Sequence, residues 1–279
     1  MSNFIDYPHQ TWRLLLSPPA TGAWNMAVDE AILQAVGQSQ SLPTLRLYSW
    51  QPPCLSIGYA QPRTDIDLPI LHHFGWNWVR RPTGGRAILH TDELTYSVIA
   101  PTTEPRLSGS VLESYQRISK ALLGALFSLG IPAVANPLIP PPASQNTQAI
   151  CFEIPSNYEI VINGKKLIGS AQARRKEGVL QHGSLPLYGD LTRITQVLVY
   201  ADEHLRQEAS QRLLAHATTV ETVLGHPLSW DTAAQALIVG FQSELNLELV
   251  QDNLSDQEIS VAKMLEKDKY GHPGWLERI

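Results

Sequence analysis

No two residues restrict the fold of this chain more than Asn163-Gly164. They sit between two apolar runs, 158–162 and 165–168. Asn-Gly in that setting closes a two-residue hairpin, because both central positions need positive φ. The turn sets the register: Ile162 pairs with Lys165, and Val161 pairs with Lys166. Side chains alternate along a strand, so the two lysines point to opposite faces. Ile160, Ile162 and Leu167 are expected on one face, and Glu159, Val161, Lys166 and Ile168 on the other.

The rest of the pattern mixes strands and helices. A first helix is expected over 24–36. Strand-like runs follow at 45–50, 54–59, 76–80, 87–90 and 94–100. Leu112, Tyr115, Ile118, Leu122, Ala125, Leu126 and Leu129 recur at steps of three and four and form one apolar stripe, so a helix is predicted there. Gly130 ends it and Pro132 prevents its continuation. Residues 136–149 are rich in Pro, Ser, Gln and Asn and read as a loop. Another strand is expected over 179–187, then helices over 204–214 and 230–245. Ser255 followed by Glu258 is a capping box that starts a last helix near Asp256. The order predicts an α/β fold of the α+β kind, in one catalytic domain spanning 1–279 with a core over about 12–250 and a helical segment over 251–279.

Composition removes several classes. With 43% hydrophobic and 17% charged residues, a folded globular chain is expected. A net charge of −5 argues against a dedicated nucleic-acid binder. The longest uncharged stretch, 121–152, holds five prolines, so no membrane span is expected. Two cysteines and no leader-like start predict free thiols in a reducing cytoplasm. His72-His73 diverge and no His-Glu-x-x-His or paired-cysteine pattern exists, so no metal site is expected.

Cys54 lies in an apolar strand and reads as a small core residue. Cys151 follows the Pro-rich loop, and its position alone favours a small buried hydrophobe over a reactive thiol. Lys166 adds chemistry. A free thiol near pKa 8.5 is only a few per cent ionised at neutral pH. An ammonium about 4 Å away contributes roughly 4 kcal/mol at an effective dielectric near 20, or about three pKa units toward thiolate. In Arg80-Arg81-Pro82-Thr83-Gly84-Gly85-Arg86-Ala87 the glycines let backbone N–H groups approach a ligand. The plainer alternative is a tight turn with a surface arginine pair. His90 and His182 fit either a satisfied core histidine or a site residue, and Gly183 marks a closely approached backbone. Arg174-Arg175-Lys176 is a solvated turn or a contact for an acidic partner.

These segments resemble the biotin/lipoyl protein ligase superfamily, and within it the single-domain, cysteine-dependent octanoyltransferase branch. The resemblance rests on 25–30, Arg80 to Ala87, 149–152, Gly164-Lys165-Lys166-Leu167-Ile168-Gly169-Ser170-Ala171-Gln172 and Gln181-His182-Gly183-Ser184. It implies a mixed, mainly antiparallel sheet flanked by helices. It implies Cys151 as the acyl-thioester nucleophile with Lys166 as its partner. It further implies that Arg81, Thr83, Gly84, Gly85, Arg86, Ala87, His90, Gly169, Ser170, Ala171, His182 and Gly183 surround the substrate.

The implied reaction moves octanoyl from the phosphopantetheine of acyl carrier protein to a lysine of a lipoyl domain, on 2-oxoacid dehydrogenase E2 subunits or the glycine cleavage H protein. No ATP, metal, nucleic acid or membrane is expected, and a monomer is. An amidotransferase of the same branch and an ATP-dependent lipoate ligase are the alternatives. Ligases of the family read Gly where Arg86 stands, and His-Asp-x-Gly-Asn where this chain has His90-Thr91-Asp92-Glu93-Leu94. Both departures favour thioester chemistry. A binding module without catalysis is the third competitor.

Overall fold

The hairpin forms as its turn demands. In the computed structural model, which describes residues 7–136, 150 and 159–279, Asn163 and Gly164 take φ of 51° and 76°. Ile162 pairs with Lys165 and Val161 with Lys166. The expected faces need one correction. The ladder then jumps to Ile160 opposite Ile168, leaving Leu167 as an extra residue. Consecutive Leu167 and Ile168 both enter the same core cluster, which strict alternation forbids. The bulge therefore moves Ile168 off the Lys166 face and turns Lys166 away from that core. A hydrophobic pattern does not reveal such an extra residue.

The strands are β1 (Gln10–Leu16), β2 (Thr44–Tyr48), β3 (Cys54–Ile57), β4 (Asn77–Arg80), β5 (Ile88–His90), β6 (Glu93–Ala100), β7 (Val134–Asn136), β8 (Glu159–Ile162), β9 (Lys165–Arg174), β10 (Val179–Pro186) and β11 (Leu247–Gln251). Eight form one sheet in the order β11-β1-β2-β6-β10-β9-β8-β7, and β4-β3-β5 form a smaller one. In the large sheet only β1–β11 and β1–β2 pair in parallel; the pairs from β2 through β7 are antiparallel. β1 and β11 escape the sequence pattern. β1 carries Arg13 in its middle, which is buried because both of its terminal nitrogens reach Glu258, at 2.8 and 2.6 Å.

The helices are α1 (Gly22–Gly37), α2 (Leu68–His73), α3 (Val111–Ser128), α4 (Glu203–His216), α5 (Val220–Leu224), α6 (Trp230–Leu245), α7 (Asp256–Leu265) and α8 (Pro273–Leu276). The apolar stripe of α3 packs with α6 on one face of the large sheet. α1 and α7 cover the other face. Ser110 caps α3 and Ser255 caps α7, each through a complete capping box. The small sheet packs beside α1, so a gap opens between β3–β5 and β9–β10. Among the described residues no helix is long and apolar enough to cross a membrane. Most of the loop expected over 136–149 lies outside the described residues, as does 151–158 with Cys151.

Candidate functional site

The gap between the two sheets is walled by the Gly-Gly loop after β4. Arg80 and Arg81 build that loop from inside and are not a surface pair, being 0% and 3% exposed. Arg80 Nη1 donates to the carbonyls of Gly58, Tyr59 and Gln61. Its Nε and Nη2 donate to Leu276 O at 3.1 and 2.8 Å. Trp275 Nε1 returns a bond to Arg80 O at 2.8 Å. Arg81 donates to the carbonyls of Ser56, Gly84 and Arg86. A guanidinium offers five rigid N–H donors, which suits it to gathering carbonyls of a turn. Gly58 completes the fit: a Cβ there would lie 1.9 Å from Gly85 O.

Across the gap, β10 presents His182 to a buried polar cluster. Thr83 Oγ1 lies 2.7 Å from His182 Nε2, and His182 Nδ1 lies 3.6 Å from Asp29 Oδ2. A neutral ring protonated at Nδ1 serves both contacts. Asp29 is held by Arg46 Nη1 (2.7 Å), Ser97 Oγ (3.0 Å) and Tyr48 Oη (3.1 Å). Burial alone would raise the Asp29 pKa, but Arg46 and His182 outweigh it and keep the carboxyl below its ordinary range. Burial lowers the His182 pKa, against the pull of Asp29.

A pH prediction follows from His182. The unfolded chain binds a proton at this residue near its ordinary 6.5, while the folded one binds it only at lower pH. Stability is therefore full above that pH and falls as the pH drops through it. Chemical unfolding of the wild type should weaken between pH 7 and 5, and His182→Asn should flatten that slope. An unchanged slope would contradict a depressed His182 pKa.

A second cluster lies at the other end of the gap. His90 Nδ1 is 2.9 Å from Glu93 Oε1 and its Nε2 is 2.8 Å from Ser56 Oγ. Trp50 stacks on the ring at 4.0 Å. Glu93 also accepts from Thr95 and Ser184. Between the clusters is a cavity of about 260 Å³. It is lined by nine of the expected residues, namely Arg81, Gly84, Gly85, His90, Gly169, Ser170, Ala171, His182 and Gly183. Met26, Tyr48, Trp50, Ile88, Tyr115 and Gln172 supply much of the remaining wall. Thr83 stands behind the wall on His182, and Ala87 is buried. Arg86 is absent from the lining; it enters the site through its carbonyl, which binds Arg81.

Asp29, Ser56, Glu93 and Trp50 were not anticipated. Glu93 opens its strand beside Asp92 and offered no signal, whereas Asp29 interrupts an otherwise largely apolar helix. The buried Lys166 Nζ donates to Glu159 Oε1, on the face where the hairpin register places both. Lys165 instead reaches Leu214 O near the surface at 2.6 Å. Cys151 lies outside the described residues, but Ile150, its chain neighbour, is buried and bridged to Ala87. Cys54 is fully buried, and burial pushes its thiol pKa far up. Among the described residues no group of His, Cys, Asp or Glu is arranged to hold a metal ion.

The chain is similar to known proteins in sequence and in fold. A model of the lipoyl protein ligase A/B catalytic domain matches residues 21–242. Octanoyltransferase LipM of Kyrpidia tusciae is 41% identical over 264 residues, covering 92% of this chain and 95% of the relative. Octanoyltransferase LipM of Bacillus subtilis is 35% identical over 273 residues, covering 95% and 98%. A bi-partite lipoate protein ligase from Thermoplasma acidophilum, studied with its E2 lipoyl domain, superposes with a TM-score of 0.80 at 26% identity over 96% of this chain and 97% of that one. Lipoate-protein ligase A bound with ATP superposes with a TM-score of 0.77 at 26% identity, covering 95% and 98%.

Proposed function

Because this chain belongs to the lipoyl protein ligase A/B catalytic-domain family and is an octanoyltransferase of lipoate biosynthesis, we propose that the octanoyl group passes through a thioester on Cys151. The observation that carries this reading is the anchoring of Ile150 on Ala87. Ala87 is directly followed by Ile88, which lines the cavity. The other thiol, Cys54, is buried and held protonated.

In the first step the Cys151 thiolate attacks the octanoyl thioester on the phosphopantetheine of acyl carrier protein. The carrier thiol leaves with a proton. In the second step the neutral amine of a lipoyl-domain lysine attacks the acyl-enzyme, an amide forms and the thiolate returns. The amine's proton passes to Lys166, replacing the one that Lys166 gave to the carrier thiol in the first step. Backbone amides near Gly84–Gly85 and Gly169–Ser170 are the candidates to face the carbonyl oxygen. Glu159 changes the role of Lys166. The carboxylate offsets much of the ammonium field, so Lys166 acts at short range, by donating a proton or a hydrogen bond to the reacting sulfur.

The cavity receives the acyl tail. At about 0.8 kcal/mol per buried CH₂, its six methylenes contribute about 5 kcal/mol. No ATP takes part, because a thioester is already activated, and the reaction belongs in the cytoplasm. Incubation with octanoyl carrier protein and an apo lipoyl domain, with ATP omitted, is expected to yield octanoylated domain. A requirement for ATP and free octanoate would replace this reading with that of a ligase. Use of an octanoylated lipoyl domain as donor, and not the carrier, would make the enzyme an amidotransferase.

Two glycines separate fold from substrate. A Cβ at Gly84 meets nothing within 4 Å, so Gly84→Ala should change stability by less than about 0.5 kcal/mol while raising KM for the octanoyl donor. A Cβ at Gly183 would lie 2.5 Å from Tyr96 and 2.8 Å from Gly169 O, so Gly183→Ala should destabilise by about 1–3 kcal/mol. Thermal unfolding and steady-state kinetics on both variants check the pair. Equal stability losses would contradict the packing described.

A further inference from the structure

A second cavity, of about 660 Å³, opens beside the acyl cavity. Its walls include Leu16, Pro18, Trp50, Tyr188 and Trp230. Leu16 and Tyr188 are 40% and 42% exposed. The two cavities share Trp50 as a common wall. A third, narrow cavity of about 30 Å³ lies between them. It shares Thr91, Asp92, Glu93 and Tyr188 with the outer cavity, shares Ile88 and Ser184 with the acyl cavity, and is lined by Ile150. Neighbouring cavities with shared walls thus lead from the surface toward the chain neighbour of Cys151, and together form one groove.

The charge along this groove has one sign. Asp92, Glu93 and Asp231 line its wide part and Asp190 its narrow part, with no Lys or Arg among the described residues of either lining. Arg193 pairs with Asp92 from outside, and Glu93 is engaged by His90, Thr95 and Ser184. Asp190, which caps the turn at Thr192, and the exposed Asp231 leave the groove net negative.

Two macromolecular substrates must approach the thioester, and their chemistry differs. The donor arrives on a phosphopantetheine arm, which carries a phosphodiester anion. The acceptor arrives as a lysine, with an apolar four-carbon stem and a cationic head. An apolar groove bearing carboxylates repels the first and attracts the second. We infer that the groove bounded by Leu16, Tyr188 and Asp231 is the docking track for the lysine-bearing segment of the acceptor domain. This rests on the thioester reading for its direction, since the track leads toward Ile150. The carboxylates capture and steer the ammonium toward the thioester.

The test uses Asp231→Lys and Tyr188→Ala, both surface changes outside the acyl cavity. Binding of the whole enzyme to an apo lipoyl domain and to octanoyl carrier protein is titrated at low and high salt. Asp231→Lys should weaken lipoyl-domain binding about tenfold at low salt, with the difference shrinking as salt rises. Tyr188→Ala should weaken it with little salt dependence. Carrier binding should stay within about twofold of wild type, or tighten. Unchanged lipoyl-domain binding in both variants would overturn the proposal, and so would selective weakening of carrier binding. The octanoyl adduct on Cys151, read in parallel by intact mass, reports separately on the thioester reading, because binding to the unacylated enzyme does not depend on it.

Discussion

Cys151→Ala protein is expected to take up no octanoyl group and to lose transfer by at least about 10³-fold, as enzymes do when their nucleophile is removed. Mixed with octanoyl carrier protein, wild type should gain the mass of one octanoyl group, hydroxylamine should remove it, and peptide mapping should place it on Cys151. Cys54 is a built-in control. It is fully buried with its thiol held protonated, and a Cβ on Gly22 would already lie 2.3 Å from its sulfur. No acyl group fits there. Substantial transfer by Cys151→Ala, or an adduct that maps elsewhere, would end the covalent route.

Lys166→Ala is expected to slow the acylation step by about 10² to 10⁴-fold, the usual range for a positioned proton-transfer group. Lys165→Ala should stay within about threefold of wild type, because that side chain reaches only Leu214 O near the surface. The two residues are adjacent, so the contrast tests the hairpin register directly. A folding control is needed, since Lys166→Ala also removes a partner of the buried Glu159. Breaking one side of a buried pair costs about 3–5 kcal/mol. The double variant Lys166→Met with Glu159→Gln removes both charges. It should recover most of the thermal stability and none of the acylation rate. Recovery of rate along with stability would show that Lys166 serves the fold alone.

Much of this molecule was readable as a chain. The Asn163-Gly164 turn, the α3 stripe, the Ser255–Glu258 capping box and the helix over Trp230–Leu245 arise from residues a few positions apart. Nine of the residues named for the site through family resemblance meet in one cavity. The sequence was less informative about roles. Arg80 and Arg81 look like surface charges until their carbonyl partners are known. Glu93 looks like the start of a strand until His90, Ser184 and Thr95 converge on it.

What the sequence alone determined was therefore the local structure: turn type, helix ends, strand register next to the hairpin turn and the apolar stripe of α3. Each depends on φ preferences and short-range hydrogen bonds that the nearest few residues settle. Only the tertiary structure decided the bulge at Leu167, the clamp from Arg80 to Leu276 across 196 positions and the Arg13–Glu258 pair across 245. Charged groups enter a low-dielectric interior only when partners from distant segments meet them there, and that meeting exists only once the chain has closed.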